Sequence, residues 1–315
     1  MDTMRLRNKE NMLPDGPKGF FAAVLLSLTL SAPIALGQQP IAQTVAESTH
    51  PQWPRISRDV AFDSKVPVPE LAELQVFEDG TEQPDVTLQK DTDPVSICMI
   101  MDLSGSMYVA GSAEIEAARR LAASVNPGDE IEIIGFSVSV YVEQEFTSDP
   151  GKIDEALSHL KFQGGSSFYD AVSASLDHMK TQAPKYRLVF VIFSDGDDNM
   201  SSITRSDLIQ KLTSPDAPIV YTINPIHVNE GSGQSNLADI VKATGGVAFE
   251  PAKLSMLPGS VAAVIRDIHS RYRLEYSSTH TQRDGKRHKI EVRIQLETGA
   301  SKPKTIFRQE YHAPL

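Results

Sequence analysis

Cys98 is the only cysteine in the 315 residues. A single cysteine permits no internal disulfide, so stability has to come from a buried core. Cys98 itself lies in an apolar run with no cationic or histidine neighbour in sequence, the setting of a small buried hydrophobe and not of a reactive thiol. Positive charge is also short: 30 Lys and Arg against 41 Asp and Glu give a net charge of −11. That balance excludes the basic face of a general nucleic-acid binder. An acidic partner would need a local positive centre on this chain, such as a metal ion. Also missing are an internal repeat, an HExxH, a GxSxG and a Walker loop. The eight histidines are scattered with no pair at a ligand spacing, and His227 and His269 read as packing or surface residues.

What is present is ordinary globular material, 40% hydrophobic and 7% aromatic, enough for one large or two modest domains. The one long apolar run, FFAAVLLSLTLSAPIALG (Phe20 to Gly37), follows Arg5, Arg7, Lys9 and Lys18 and ends in a small-x-small pattern. Residues 1–37 therefore read as an export signal, with periplasmic or secreted location, and an uncleaved anchor is the alternative. The acidic residues Asp2, Glu10 and Asp15 in a long leading region point to Met12 as an alternative start.

Residues 38–58 are polar and aperiodic and read as a linker. Residues 59–93 look like β structure, with LQVFEDGTEQPDVTL alternating around the hairpin dipeptide Asp79-Gly80. From Val95 the pattern alternates strand and helix. VSICMIMD and LVFVIFSD are near-continuous apolar runs, as expected of strands buried on both faces. SAEIEAARRLAASV has helical spacing, with Ile115, Ala118, Leu121 and Val125 on one side. EIEIIGFS and VYVEQEF read as antiparallel neighbours. The expected fold for 94–271 is α/β, a doubly wound and mainly parallel sheet with helices on both faces. The strands of 272–315, the first two joined through Arg283-Asp284-Gly285-Lys286, are expected to pack with 59–93 into a small flanking β-sandwich built from both ends. The basic cluster Arg283, Lys286, Arg287, His288 and Lys289 reads as protection of a hairpin edge.

Three loops carry oxygen ligands where core elements end: Asp102-Leu103-Ser104-Gly105-Ser106, Gly164-Gly165-Ser166-Ser167 and Ser194-Asp195-Gly196-Asp197-Asp198-Asn199. Ligands of open α/β sheets bind beyond the carboxyl ends of strands where strand order reverses. If the strands before Asp102 and Asp195 flank that point, the two aspartates face each other and Ser166 closes the third side. Carboxylates and hydroxyls are hard donors, which suit Mg²⁺, Mn²⁺ or Ca²⁺ and not zinc. Asp197, Asp198 and Asn199 lack the order of an EF-hand loop and read as a solvated acidic turn. Asp170 reads as a rim residue or as a dipole partner at a helix N-terminus.

At these residues the sequence resembles the von Willebrand factor A domain with its metal-ion-dependent adhesion site, Asp-x-Ser-x-Ser, then Thr, then Asp. Asp102, Ser104, Ser106 and Asp195 match; Ser166 stands at the Thr position, keeping the hydroxyl and losing the methyl. The resemblance, over about Pro94 to Ile268, implies a divalent cation, Mg²⁺ before Mn²⁺ or Ca²⁺, held by those five residues. It further implies a protein partner that offers an Asp or Glu carboxylate, with Met107, Ser167, Tyr169 and Asp197 on the contact rim. The expected function is an exported, non-catalytic binding module. One alternative is an envelope component whose metal only stabilises the fold; a metal-dependent hydrolase is the remote one, since no general base or second-metal carboxylate set accompanies the site.

Overall fold

The computed structural model describes residues 7–8, 53–62, 73–185, 187–214, 216–226, 232–295 and 303–315. The apolar run 20–37, most of the expected linker and His227 lie outside them. Among the described residues no helix is long and apolar enough to cross a membrane.

In chain order the first strands are β1 (Arg7–Asn8), β2 (Arg55–Phe62), β3 (Leu74–Glu78), β4 (Thr81–Glu82) and β5 (Thr87–Lys90). The α/β part follows as β6 (Val95–Asp102), α1 (Gly111–Ala122), β7 (Glu130–Phe136), β8 (Val140–Thr147), α2 (Pro150–Ser158) and α3 (Phe168–Gln182). It continues with β9 (Arg187–Phe193), α4 (Arg205–Leu212), β10 (Ile219–Ile223), α5 (Ser232–Thr244), β11 (Ala248–Phe249) and α6 (Leu257–Ile268). The chain closes with β12 (Tyr272–Ser277), β13 (Arg287–Ile294), β14 (Thr305–Ile306) and β15 (Glu310–His312).

The central sheet has the order β1-β8-β7-β6-β9-β10-β11. It is parallel except for β7 against β8, the antiparallel pair expected from their short connection. Every residue of β6 is buried, because helices cover both faces. Ile97, Met99 and Met101 pack under α1, α2 and α6, while Cys98 and Ile100 pack under α3, α4 and α5. Losing a branched side chain at such a position, as in Ile100→Ala, costs about 2–5 kcal/mol. Local rules set the helix starts. Asp149 caps α2 through the Gly151 N–H ahead of its own Pro150, and Thr204 with Asp207 closes a capping box on α4.

Chain order reverses at β6: the chain leaves it for β7 on one side and returns to β9 on the other. Both strands run the same way, so the loops after Asp102 and Phe193 open at one edge of the sheet.

Two four-stranded sheets, β14-β2-β12-β5 and β15-β13-β3-β4, flank this α/β part. They share a core of Ile56, Val60, Val76, Leu274, Tyr276, Ile290, Phe307 and Tyr311. Asp79 and Gly80 turn the β3–β4 hairpin with φ of 49° and 85°, the positive pair that a two-residue hairpin turn demands. Two expectations need correction. β2 begins at Arg55, inside the segment read as linker, because Ile56 and Arg58 already alternate into the sandwich core. β12 and β13 do not form a hairpin: β12 lies between β2 and β5, and β13 lies between β3 and β15 in the other sheet. The basic cluster therefore protects no hairpin edge, and His288 within it is buried. The two parts are tied together at the amino ends of the central strands, where Asp91 receives both Arg187 and Arg273 at 3.3 and 2.9 Å. A cavity of about 400 Å³ lies at that junction, lined in part by Arg58, Asp59, Arg187 and Arg308.

Candidate functional site

The five oxygen residues lie on three loops at the carboxyl ends of β6 and β9, the opposite end from the junction. Asp102 is the last residue of β6 and wholly buried. Its Oδ1 accepts the Ser104 N–H at 3.0 Å and its Oδ2 accepts the Ser194 hydroxyl at 2.6 Å. Ser194 in turn accepts the Gly196 N–H at 2.9 Å, which shapes the loop that carries Asp195. Asp195 Oδ1 accepts the Asp197 N–H at 3.1 Å. Ser104 and Ser106 place their hydroxyl oxygens 3.1 Å apart at the start of a 3₁₀ turn, Gly105–Val109. The backbone ties this turn to the second loop, with the Gly105 N–H on the Gly164 carbonyl at 3.0 Å and the Gln163 N–H on the Leu103 carbonyl at 2.7 Å.

Ser166 carries the sharpest signal. It is buried, and its Oγ has no hydrogen-bond partner. A buried hydroxyl left unpaired costs about 1–3 kcal/mol, and a bound cation would supply the missing interaction. The charge pattern agrees. Burial pushes the Asp102 carboxyl up to about 6; hydrogen bonds from Ser104 and Ser194 oppose this, and the charge of Asp195 adds to it. Glu114, in the first turn of α1, is wholly buried with both oxygens unpaired. Its carboxyl is raised well above the usual range, by burial first and then by Asp102 and Asp195. Such a concentration of acid groups is relieved by a positive charge between them. The donor set, two carboxylates and three hydroxyls, fits a hard divalent cation.

The rim differs from expectation. Met107 and Ser167 are fully buried: the 3₁₀ turn rotates Met107 into the core, and the Ser167 hydroxyl donates to the Ser137 carbonyl at 2.7 Å. Neither offers a surface to a partner. Tyr169 is half-buried and Asp197 exposed. The sequence reading missed four apolar side chains in the loops around the site: Tyr108 (73% exposed), Val109 (75%), Val138 (46%) and Met200 (51%). It also missed Asn199, whose side chain accepts the Ser166 N–H, and Glu114, whose place on the apolar face with Ala117, Ala118 and Leu121 was the available sign. The acidic turn is not merely solvated, because Asp198 accepts the Tyr169 N–H at 3.2 Å and the Ser201 hydroxyl. Asp170 accepts the N–H groups of Ser202 and Ile203 at 2.8 and 3.2 Å, binding α3 to the turn.

Residues 97–197 match the model of the von Willebrand factor type A domain. Comparison with curated proteins returns no match. Among solved structures, a von Willebrand factor type A protein from Catenulispora acidiphila is 13% identical, with 83% of this chain and 74% of that one covered and a TM-score of 0.51. BatB from Bacteroides thetaiotaomicron is 14% identical over 55% of this chain and 98% of its own, with a TM-score of 0.46. The PilB minor pilin from Streptococcus sanguinis is 15% identical over 56% and 61%, with a TM-score of 0.45. The family match and the mixed sheet flanked by helices together support a von Willebrand factor type A domain in this chain.

Proposed function

We propose that this chain is an exported, non-catalytic binding module that grips a protein partner through a divalent cation, Mg²⁺ in the first place. Asp102, Ser104, Ser106, Ser166 and Asp195 would hold the ion, and a partner carboxylate would complete its shell. The observation that carries this reading is the buried Ser166 hydroxyl, left without a partner on a loop that the Gly105 N–H and Gly164 carbonyl bind to the Asp102 loop. The exposed side chains of Tyr108, Val109, Val138 and Met200 supply apolar area for a protein surface, and tyrosine is among the residues that dominate such contacts. A net charge of −11 gives an acidic partner no attraction of its own, so the cation would provide it.

Two features support a non-catalytic role. Among the described residues no third His, Cys, Asp or Glu comes within ligand distance of Asp102 and Asp195 together. The Asp102 oxygens accept from the Ser104 N–H and the Ser194 hydroxyl with no histidine against them, so no carboxylate–histidine acid–base pair is built there.

The test is capture of envelope proteins by the wild-type chain and by Asp102→Ala, each with Mg²⁺ and with chelator. A partner retained only by the wild type with Mg²⁺ is the expected result. Capture that ignores both the chelator and the substitution would contradict the reading and favour a metal that serves stability alone.

A further inference from the structure

The connection between β12 and β13, together with the start of β13, holds a second cluster of potential ligands, far along the chain from the family match. His280, Asp284 and His288 present one ligand atom each, all within 4.8 Å of one another. His280 Nε2 is 3.6 Å from Asp284 Oδ2, and His288 Nε2 is 3.9 Å from Asp284 Oδ1. The two imidazoles lie 4.3 Å apart between ring centres. His280 Nε2 and His288 Nε2 are shut off from solvent without a hydrogen-bond partner, and Asp284 Oδ2, equally shut off, has the Lys286 ammonium at 3.2 Å. His288 is only 5% exposed. Buried polar atoms that converge and stay unpaired ask for something between them.

The surroundings orient these atoms. His288 Nδ1 lies 2.7 Å from Asp79 Oδ2, and the other Asp79 oxygen accepts the Lys289 N–H at 2.9 Å. A carboxylate on Nδ1 fixes that nitrogen as the donor and leaves the Nε2 lone pair aimed into the cluster, the arrangement that carboxylate–histidine–metal triads use. Asp284 Oδ1 accepts the Lys286 N–H at 3.0 Å. That bond, with the Lys286 ammonium 3.2 Å from Oδ2, keeps the Asp284 carboxyl below the usual range. His280 is anchored through its own backbone, its N–H on the Ser278 hydroxyl at 3.0 Å.

The donor set decides the ion. Two imidazoles and one carboxylate suit Zn²⁺ and its borderline neighbours, not the hard cations of the oxygen site. Metal–ligand distances of about 2.0–2.2 Å in a tetrahedron put ligand atoms about 3.3–3.5 Å apart. The imidazoles face different oxygens of Asp284, at 3.6 and 3.9 Å, and the three ligand atoms lie within 4.8 Å of one another, so a turn of the carboxylate and a shift of about an ångström close the set around one ion. A second cluster, Glu132, Glu145 and His178, differs in kind. There a single imidazole faces two carboxylates at 3.2 and 3.5 Å, and the bond to Glu132 raises its pKa above the ordinary imidazole value, which favours an ion pair over a metal.

We propose that His280, Asp284 and His288 form a transition-metal site for Zn²⁺, which staples the β12–β13 connection onto the sandwich and leaves one coordination position to water or an outside ligand. The Lys286 ammonium swings away when the ion enters.

The test uses the untagged full chain in excess Mg²⁺, added to keep Zn²⁺ from the oxygen site, with Zn²⁺ titrated against a chromophoric chelator. One equivalent of Zn²⁺ should bind to the wild type and to His178→Gln. His280→Ala, at a half-buried residue and checked for native folding by circular dichroism, should lose about 100-fold in affinity, and Asp79→Asn about tenfold or more. Co²⁺ in place of Zn²⁺ should give the visible absorption of a tetrahedral site in the wild type and lose it in His280→Ala. No Zn²⁺ bound by the folded wild type, affinity unchanged in His280→Ala, or affinity lost in His178→Gln would each overturn the proposal.

Discussion

Asn199 holds Ser166 from two sides: its side-chain oxygen accepts the Ser166 N–H at 3.0 Å, and its own N–H donates to the Ser166 carbonyl at 2.9 Å. The third loop thereby fixes the second, and the hydroxyl in between is set in place before any ion arrives. Asn199→Ala should cost about 1 kcal/mol in thermal or urea unfolding through the lost bond. It should also weaken Mg²⁺ binding, because Ser166 then has to be ordered by the ion itself. Gly165→Ala should reproduce the binding defect, since a Cβ there would stand 2.8 Å from both Asn199 Oδ1 and Met200 Cγ.

Ser166→Ala separates the cost of the site from its use. Without metal it removes a buried, unpaired hydroxyl, so the melting temperature should hold or rise. With Mg²⁺ the wild type should gain stability according to ligand occupancy, and the variant should gain much less. Thermal melts with chelator and with excess Mg²⁺ would reveal the crossover; parallel behaviour of the two proteins in both conditions would speak against a ligand role.

Asp129 sits between the start of β6 and the end of α6. Its carboxylate accepts the N–H groups of Val95 and Asn126, both at 2.9 Å, and meets His269 Nε2 at 2.8 Å. Burial alone would raise its pKa, but the bonds from His269, Val95 and Asn126 prevail and hold it below the usual range. A carboxyl depressed in the folded state adds stability that is present above its unfolded value, near 4, and is lost as pH falls through the folded value. Asp129→Asn should therefore destabilise by about 2 kcal/mol at neutral pH, and the gap should shrink toward about pH 3. Urea unfolding of both proteins at the two pH values checks the sign.

Cys98 should be inert. It is fully buried, and its thiol is raised well above the ordinary value by burial and then by the charge of Glu132. A thiol reagent should leave the native chain unmodified and label one group per chain on unfolding.

Much of this was legible in sequence because single local rules governed it. An apolar strand buried on both faces needs no alternation, as in VSICMIMD, and Asp79-Gly80 specifies its hairpin. The oxygen-bearing loops after β6 and β9 followed from residue type. What escaped depends on geometry that no short window contains. Whether Met107 or Tyr108 faces solvent depends on the rotation of one 3₁₀ turn. The pairing of β12 and β13 with different sheets is set by strands far away in sequence, at β2 and β3. The His280–His288 pair gained significance only once Asp79, from the other end of the chain, was found behind it.

The central claim is a cation held by Asp102, Ser104, Ser106, Ser166 and Asp195. Calorimetric titration of the chelator-stripped chain with Mg²⁺, Mn²⁺ and Ca²⁺, beside a folded Asp102→Ala variant, tests it most directly. The account predicts saturable binding of one hard cation per chain, lost in the variant and strengthened when acetate or an acidic peptide supplies a carboxylate. Silence from all three ions with the carboxylate present, or binding that survives Asp102→Ala, would contradict it.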